Sequence, residues 1–197
     1  MSKRIGLLGG TFNPVHLGHL VLAESAREQL ALDEVWLVPV AEPPLKAEAA
    51  LAPAADRWRM VELAIDGHAA FRASDIELRR GGKSYTVDTL RALHQQYGAA
   101  VAWSFIVGAD ACGQLTAWRE LSVLLQLCQF VLATRPGFTA PAAPAGARTI
   151  TMPLLNISST DLRQRVAAGH TIRYLVPDAV RLYIDAHQLY RDAGRRV

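Results

Sequence analysis

The chain has little of what marks extracellular, membrane-bound or nucleic-acid-binding proteins. Only two of its 197 residues are cysteine, and Cys112 and Cys128 lack metal-ligand spacing, which excludes a disulfide framework and a zinc site. Reduced thiols in a cytoplasmic protein, one or both buried, are expected instead. No apolar run reaches the length of a membrane span, since the longest, Val123 to Ala133, is broken by Gln126 and Gln129. Met1-Ser2-Lys3-Arg4 leads straight into a strand-like run and leaves no room for a signal peptide. The charge of one sign is also scarce: 21 Lys and Arg stand against 18 Asp and Glu, too small and dispersed an excess to mark a nucleic-acid surface. It suits a pocket that gathers phosphates. Internal repeats are absent, and so is a low-complexity tail beyond the basic end, Arg191 to Arg196. Two familiar phosphate loops are missing too. A Walker loop needs Lys followed by Ser or Thr after its last glycine, and the dinucleotide fingerprint needs GxGxxG; Gly6, Gly9 and Gly10 satisfy neither.

What remains is ample for one soluble enzyme domain spanning residues 1–197, because 51% of the residues are hydrophobic and can bury a full core. Apolar strand-like runs alternate with helical ones, the pattern of a parallel sheet with helices on both faces. The expected architecture is a doubly wound, Rossmann-like α/β fold, one domain closed by C-terminal helices. Strands are expected at Ile5–Leu8, Glu34–Val40, Phe71–Leu78, Val101–Val107, Gln129–Thr134 and Thr149–Met152. Helices are expected from Leu20 to Ala26, Asp56 to Ile65, Thr86 to Tyr97, around Ser158 to Val166, and from Pro177 to His187. Pro136 to Pro144, rich in Pro, Ala and Gly, reads as a surface loop.

The most informative stretch is Gly9-Gly10-Thr11-Phe12-Asn13-Pro14-Val15-His16-Leu17-Gly18-His19. It lies where the first strand turns into the first helix, and open α/β sheets bind ligands at the carboxyl ends of their strands. The glycines let backbone approach a ligand, and a helix N-terminus presents N–H groups to an anion. His16 and His19, three apart, project from one face of the first turn. A second element, Ile157-Ser158-Ser159-Thr160-Asp161-Leu162-Arg163, again follows a strand and opens a helix. Ser158 with Asp161 makes a capping-box-like pair, and Arg163 lies one turn beyond Ser159 on the anion-friendly face.

The HxGH string and the ISSTxxR string, in this order, resemble the nucleotidyltransferase superfamily. Further pieces resemble the bacterial nicotinate-nucleotide adenylyltransferases over essentially the whole length. These pieces are Pro43-Pro44-Leu45-Lys46, Arg57 to Met60, Ser84 to Leu90, Phe105 to Asp110 before Trp118, Arg135-Pro136-Gly137, and Tyr174 to Ile184. The resemblance implies transfer of the adenylyl group of ATP to nicotinate mononucleotide, giving deamido-NAD and pyrophosphate. It implies that His16, His19 and Arg163 are catalytic. ATP is expected on Gly9, Gly10, Thr11, Phe12 and Gly18, on Gly108 and Asp110 at the mouth of the central strand, and on Ile157, Ser158, Ser159 and Thr160. The acceptor is expected on Lys46, Thr86, Trp118 and Arg135, with Trp118 against the pyridine ring. Two positions depart from the family: Leu45 replaces a customary histidine, and Asn13 stands where Asp is common, in a turn that either residue favours.

The chemistry accounts for these residue types. A phosphate monoester is already ionised near neutral pH, so it needs no general base, and pyrophosphate leaves once its charge is neutralised. In-line positioning and charge stabilisation remain for the protein. Mg²⁺ is expected on the ATP phosphates, since no paired carboxylates are spaced to cage it. Two alternatives stay open at this point. Within the class stands a pantetheine-phosphate or glycerol-phosphate nucleotidyltransferase with the same two motifs; outside it, a silent nucleotide-binding regulator that retained the fold. Pyrophosphate release from ATP separates the last from the rest. Oligomeric state is not legible in the sequence.

Overall fold

Ile5 to Leu8 are all buried, on both faces of the first strand, as expected of a central strand in a parallel sheet covered on both sides. In the computed structural model, which describes residues 2–44, 51–108, 115, 117–134 and 143–191, the elements follow in this order. Strand β1 is Lys3–Gly10, helix α1 Leu17–Gln29, β2 Glu34–Pro39, α2 Ala54–Ile65 and β3 Phe71–Ala73. Then come α3 Ile76–Arg80, α4 Thr86–Tyr97, β4 Val101–Gly108, α5 Leu121–Leu127 and β5 Gln129–Thr134. The described chain ends with β6 Arg148–Thr151, α6 Ser159–Ala167 and α7 Asp178–Ala186.

The six strands form one sheet in the order β3-β2-β1-β4-β5-β6, and every neighbouring pair is parallel. The expected doubly wound, Rossmann-like fold is therefore present. Side chains of β1 alternate between two cores, as the period of two requires. Leu8 faces one core with α1, α2, α6 and α7 (Leu22, Met60, Leu162, Val180). Ile5 and Leu7 face the other with α4 and α5 (Leu90, Leu93, Leu124). The strand order reverses between β1 and β4, so the loops leaving these two strands diverge and open a crevice at their carboxyl ends.

One expected element is corrected. Phe71–Leu78 is not a single strand: β3 stops at Ala73, and Ile76–Arg80 turns into a short helix. Asp75 starts that helix and pairs with Arg79 at 3.1 Å, an i,i+4 contact only a helix can make. Gly81, at φ 69, ends it. The helix α5 was not foreseen; the apolar run from Val123 is divided between it and β5. Among the described residues, no helix is long and apolar enough to cross a membrane. Cys112 lies outside the described residues. Cys128 is a free, half-buried thiol pushed up to about 12 by burial, which makes it a poor nucleophile.

Candidate active site

Past Gly10 the chain turns through Phe12, in the left-handed region at φ 46, and a cis Asn13–Pro14 bond. It reaches α1 at His16, which occupies the N-cap with extended backbone. The two residues cap the helix together: the His19 N–H donates to the His16 carbonyl at 2.9 Å, while His19 Nδ1 accepts from the His16 N–H at 3.2 Å. The rings stack with centroids 3.7 Å apart and planes 25° from parallel. Because His19 Nδ1 is an acceptor here, the neutral ring carries its proton on Nε2. Gly18 lies close beneath this pair: a Cβ there would be tight against the His16 ring, 3.0 Å from Nδ1 and 3.1 Å from Cε1.

Ser158 caps α6, its Oγ accepting the Asp161 N–H at 3.1 Å and donating to the Asp161 carboxylate at 2.7 Å. The next turn of α6 is fastened to the turn after β1. Ser159 Oγ donates to the Pro14 carbonyl at 2.9 Å, and Arg163 Nη1 donates to the Asn13 carbonyl at 2.9 Å. Arg163 Nη2 also reaches Thr160 Oγ1 at 3.3 Å. These bonds join positions 145 and 150 residues apart, so the two sequence motifs form one surface. That surface is rich in backbone N–H groups, imidazole and guanidinium, a set of donors suited to phosphate oxygens.

Both motifs line a cleft of about 850 Å³ at the carboxyl ends of β1 and β4. Gly9, Gly10, Thr11, Gly18 and the two histidines enter it from the first turn, and Gly108 from the end of β4. Ile157, Ser158, Ser159, Thr160 and Arg163 enter from the start of α6. The Phe12 side chain is 1% exposed and sits in the core below the cleft, its ring edge-on to His19 at 5.0 Å. It packs beneath the histidine and is not among the residues lining the cleft.

The far end of the cleft is lined by Thr86 and Trp118. Thr86 opens α4, whose N-cap Tyr85 provides no side-chain cap, so among the described residues no N-cap side chain serves the first N–H groups of that helix. Trp118 is half-buried. Its ring stands edge-on to Phe105 at 5.7 Å and to Phe130 at 6.3 Å, so it is both core and cleft wall. The Arg119 guanidinium lies over the Tyr85 ring at 4.9 Å and meets Asp88 at 3.4 Å, tying this wall to the start of α4. Lys46, Asp110 and Arg135 lie outside the described residues, as does Leu45.

The roles of two further residues escaped the reading of the sequence. Arg57 is 2% exposed and spends its guanidinium on backbone carbonyls. It donates to Ala52 at 3.1 Å, Thr11 at 3.0 Å, Val40 at 2.7 Å and Ala41 at 3.2 Å. It thus gathers the loops leaving β1 and β2; burial pulls its pKa below the usual arginine value. Its helical position was a signal, since Arg57 shares the buried stripe of α2 with Met60, Val61 and Ile65. Glu77 is 6% exposed and lines the cleft. It accepts from Thr89 Oγ1 at 2.6 Å, which accepts in turn from Arg80 at 3.1 and 3.2 Å. Burial pushes its carboxyl up from the ordinary value.

The cytidylyltransferase-like family model matches residues 7–165. A probable nicotinate-nucleotide adenylyltransferase of Desulfitobacterium hafniense is 44% identical, over 96% of this chain and 96% of its own length. One of a Synechococcus strain, described in the same words, is 46% identical over 97% of this chain and 96% of its own. Among solved structures, the nicotinic acid mononucleotide adenylyltransferase of Plasmodium falciparum, complexed with NaAD, superposes with a TM-score of 0.78. That likeness covers 95% of this chain and 97% of the other at 19% identity, and it bears on the fold.

Proposed function

We infer the reaction from a chain that belongs to the nicotinate-nucleotide adenylyltransferase family, within the cytidylyltransferase-like group. The protein transfers the adenylyl group of ATP to nicotinate mononucleotide, forming nicotinate adenine dinucleotide and releasing pyrophosphate, a step of NAD biosynthesis. The single observation that carries this reading is the joining of the His16–His19 turn to the Ser159–Arg163 turn in one cleft. ATP is an intracellular solute, and the cytoplasm is the location we assign.

In this reading an oxygen of the acceptor's phosphate attacks the α-phosphorus of ATP, and the bond from that phosphorus to the bridging oxygen breaks. Pyrophosphate departs with the bonding pair. No proton need be removed from the nucleophile. His16, His19 and the N–H groups at the start of α1 are assigned to the oxygens on the α-phosphorus, where charge shifts in the transition state. His19 is suited to this because its bond to the His16 N–H puts its own proton on Nε2. Ser159, Thr160 and Arg163 are assigned to the β- and γ-phosphates, with Ile157 and Ser158 completing that turn. Gly9, Gly10, Thr11, Gly18 and Gly108 let backbone lie against the nucleotide. Asp110, placed by resemblance, would serve the ribose and adenine. Lys46 and Arg135, assigned likewise, would serve the acceptor phosphate.

The only carboxylate among the described residues of the cleft is Glu77, which Thr89 already engages. The donor set therefore fits Mg²⁺ that arrives with ATP, whose phosphates would be its main ligands; bound so, it would neutralise the departing pyrophosphate. Trp118 presents an aromatic face to a cationic pyridinium ring. N–H groups at the start of α4, with Thr86, suit a ring carboxylate, which accepts only, better than an amide, which also donates. The test is pyrophosphate release from ATP and Mg²⁺ with a panel of phosphate acceptors. Nicotinate mononucleotide is expected to be used best, at least about tenfold better than its amide. Equal use of the two, or a preference for a pantetheine phosphate, would sink this reading.

A further inference from the structure

Tyr190 lies 25 positions beyond the segment the family model matches, which ends at residue 165, yet its hydroxyl reaches the first motif. It donates to Asn13 Oδ1 at 2.9 Å. The approach depends on how the chain leaves α7. The backbone turns left-handed at Gln188 (φ 54) and again at Tyr190 (φ 62), conformations that bulky residues adopt only when their surroundings compel them. The turn is held by Leu189 N–H on the Ile184 carbonyl at 3.0 Å, and α7 itself is fixed to α2 by Tyr183 Oη on Asp56 at 2.7 Å. Tyr190 is packed against the core that α1, α2 and α7 share.

Asn13 is 2% exposed and its side-chain oxygen collects two donors from distant parts of the chain: Tyr190 and the Ala52 N–H, the latter at 3.0 Å. Its backbone carbonyl is the acceptor for Arg163 Nη1 at 2.9 Å. One residue therefore links the C-terminal turn to the guanidinium of the second motif. We propose that Tyr190 is a positioning residue for the phosphate clamp, fixing Asn13 so that its carbonyl aims Arg163 at the nucleotide. Burial raises the phenol's pKa, so the hydroxyl remains a donor at neutral pH. An oxygen at position 13 is what this arrangement needs, and an Asn or an Asp supplies it.

This proposal rests on the reading of Arg163 as a phosphate ligand, and the test separates the two. Tyr190→Phe removes one oxygen. Its kcat is expected to fall about tenfold, the scale of one lost hydrogen bond, with the KM for ATP and for nicotinate mononucleotide within about twofold of the parent. In an Arg163→Ala background the same change is expected to cost nothing further, because the residue through which it acts is gone. Turnover is taken per folded enzyme, well below both melting midpoints. A lower Tm with normal kcat would mean a merely structural tyrosine and would overturn the proposal, as would an equal loss in the Arg163→Ala background. Near-normal turnover of Arg163→Ala alone would instead put the fault in the clamp reading.

Discussion

At the scale of single residues, the position of one proton decides what His19 can offer. Its Nδ1 accepts from the His16 N–H in the helix cap, so the neutral ring carries its proton on Nε2, the atom assigned to a phosphoryl oxygen. Replacing His19 or Arg163 by Ala is therefore expected to lower kcat by roughly a hundredfold or more, the scale of an oxyanion donor removed from a transition state. His16→Ala is expected to behave similarly, since the stacked ring also holds His19 in place. Steady-state kinetics on folded protein decide the matter; a His19→Ala enzyme with near-normal turnover would remove the histidine from the mechanism. Trp118 gives a different signature. Part of its ring packs on Phe105 and Phe130, and the rest faces the cleft. Trp118→Ala is expected to raise the KM for nicotinate mononucleotide at least about tenfold more than that for ATP. A protein that merely loses stability, with both constants unchanged, would make Trp118 a core residue. Both motifs were legible because each packs its functional atoms within one turn of helix. Arg57 was not, because its partners are four backbone carbonyls, and a carbonyl leaves no trace in the residue type.

Elements were legible where apolar runs were buried on both faces, as in β1, β4 and β5, and least so where a strand ends early. At Phe71–Leu78 the apolar spacing suits a strand, but Asp75 and Gly81 bracket a helical turn, and the Asp75–Arg79 pair closes it. Glu77 reaches the cleft only because of that helix, so an error of element hid a residue of the site. Between elements, Glu34 at the start of β2 has a more visible task. It holds Lys3 of β1 at 2.7 Å and Arg72 of β3 at 2.8 Å, while Trp36 Nε1 donates to it at 2.8 Å. Burial works to raise its pKa, and the three donors outweigh burial and bring it from 4.5 to about 2. A carboxyl depressed in the folded state contributes stability that is complete above its unfolded pKa and is lost as pH falls through the folded one. The native protein is thus expected to lose stability between about pH 5 and about pH 2. Glu34→Gln should be less stable at pH 7 and show a flatter decline across that window in urea midpoints. Parallel declines for the two proteins would show that Glu34 does not clip the three strands.

For the molecule as a whole, the alternation of strands and helices made the doubly wound sheet readable, and the first motif marked the carboxyl end of β1. What the sequence could not supply was how the loops leaving β1 and β2 meet. Arg57 answers that from beneath the cleft. The turn after β1, the loop after β2 and the entry to α2 each place a carbonyl on its guanidinium, and only arginine has donors spread in a rigid fork wide enough to serve them together. Loss of the side chain would strand buried acceptors at about 1–3 kcal/mol apiece and release two walls of the site at once. Arg57→Ala is therefore expected to lower the unfolding free energy by about 3 kcal/mol or more, read from the urea midpoint. Arg57→Lys keeps the charge but cannot fork, and should recover less than about half of that loss. The histidine turn hangs from the same carbonyl of Thr11, so the lysine variant should also bind ATP more weakly. A lysine variant with native stability and native affinity would mean that charge alone, and not the fork, holds the loops together.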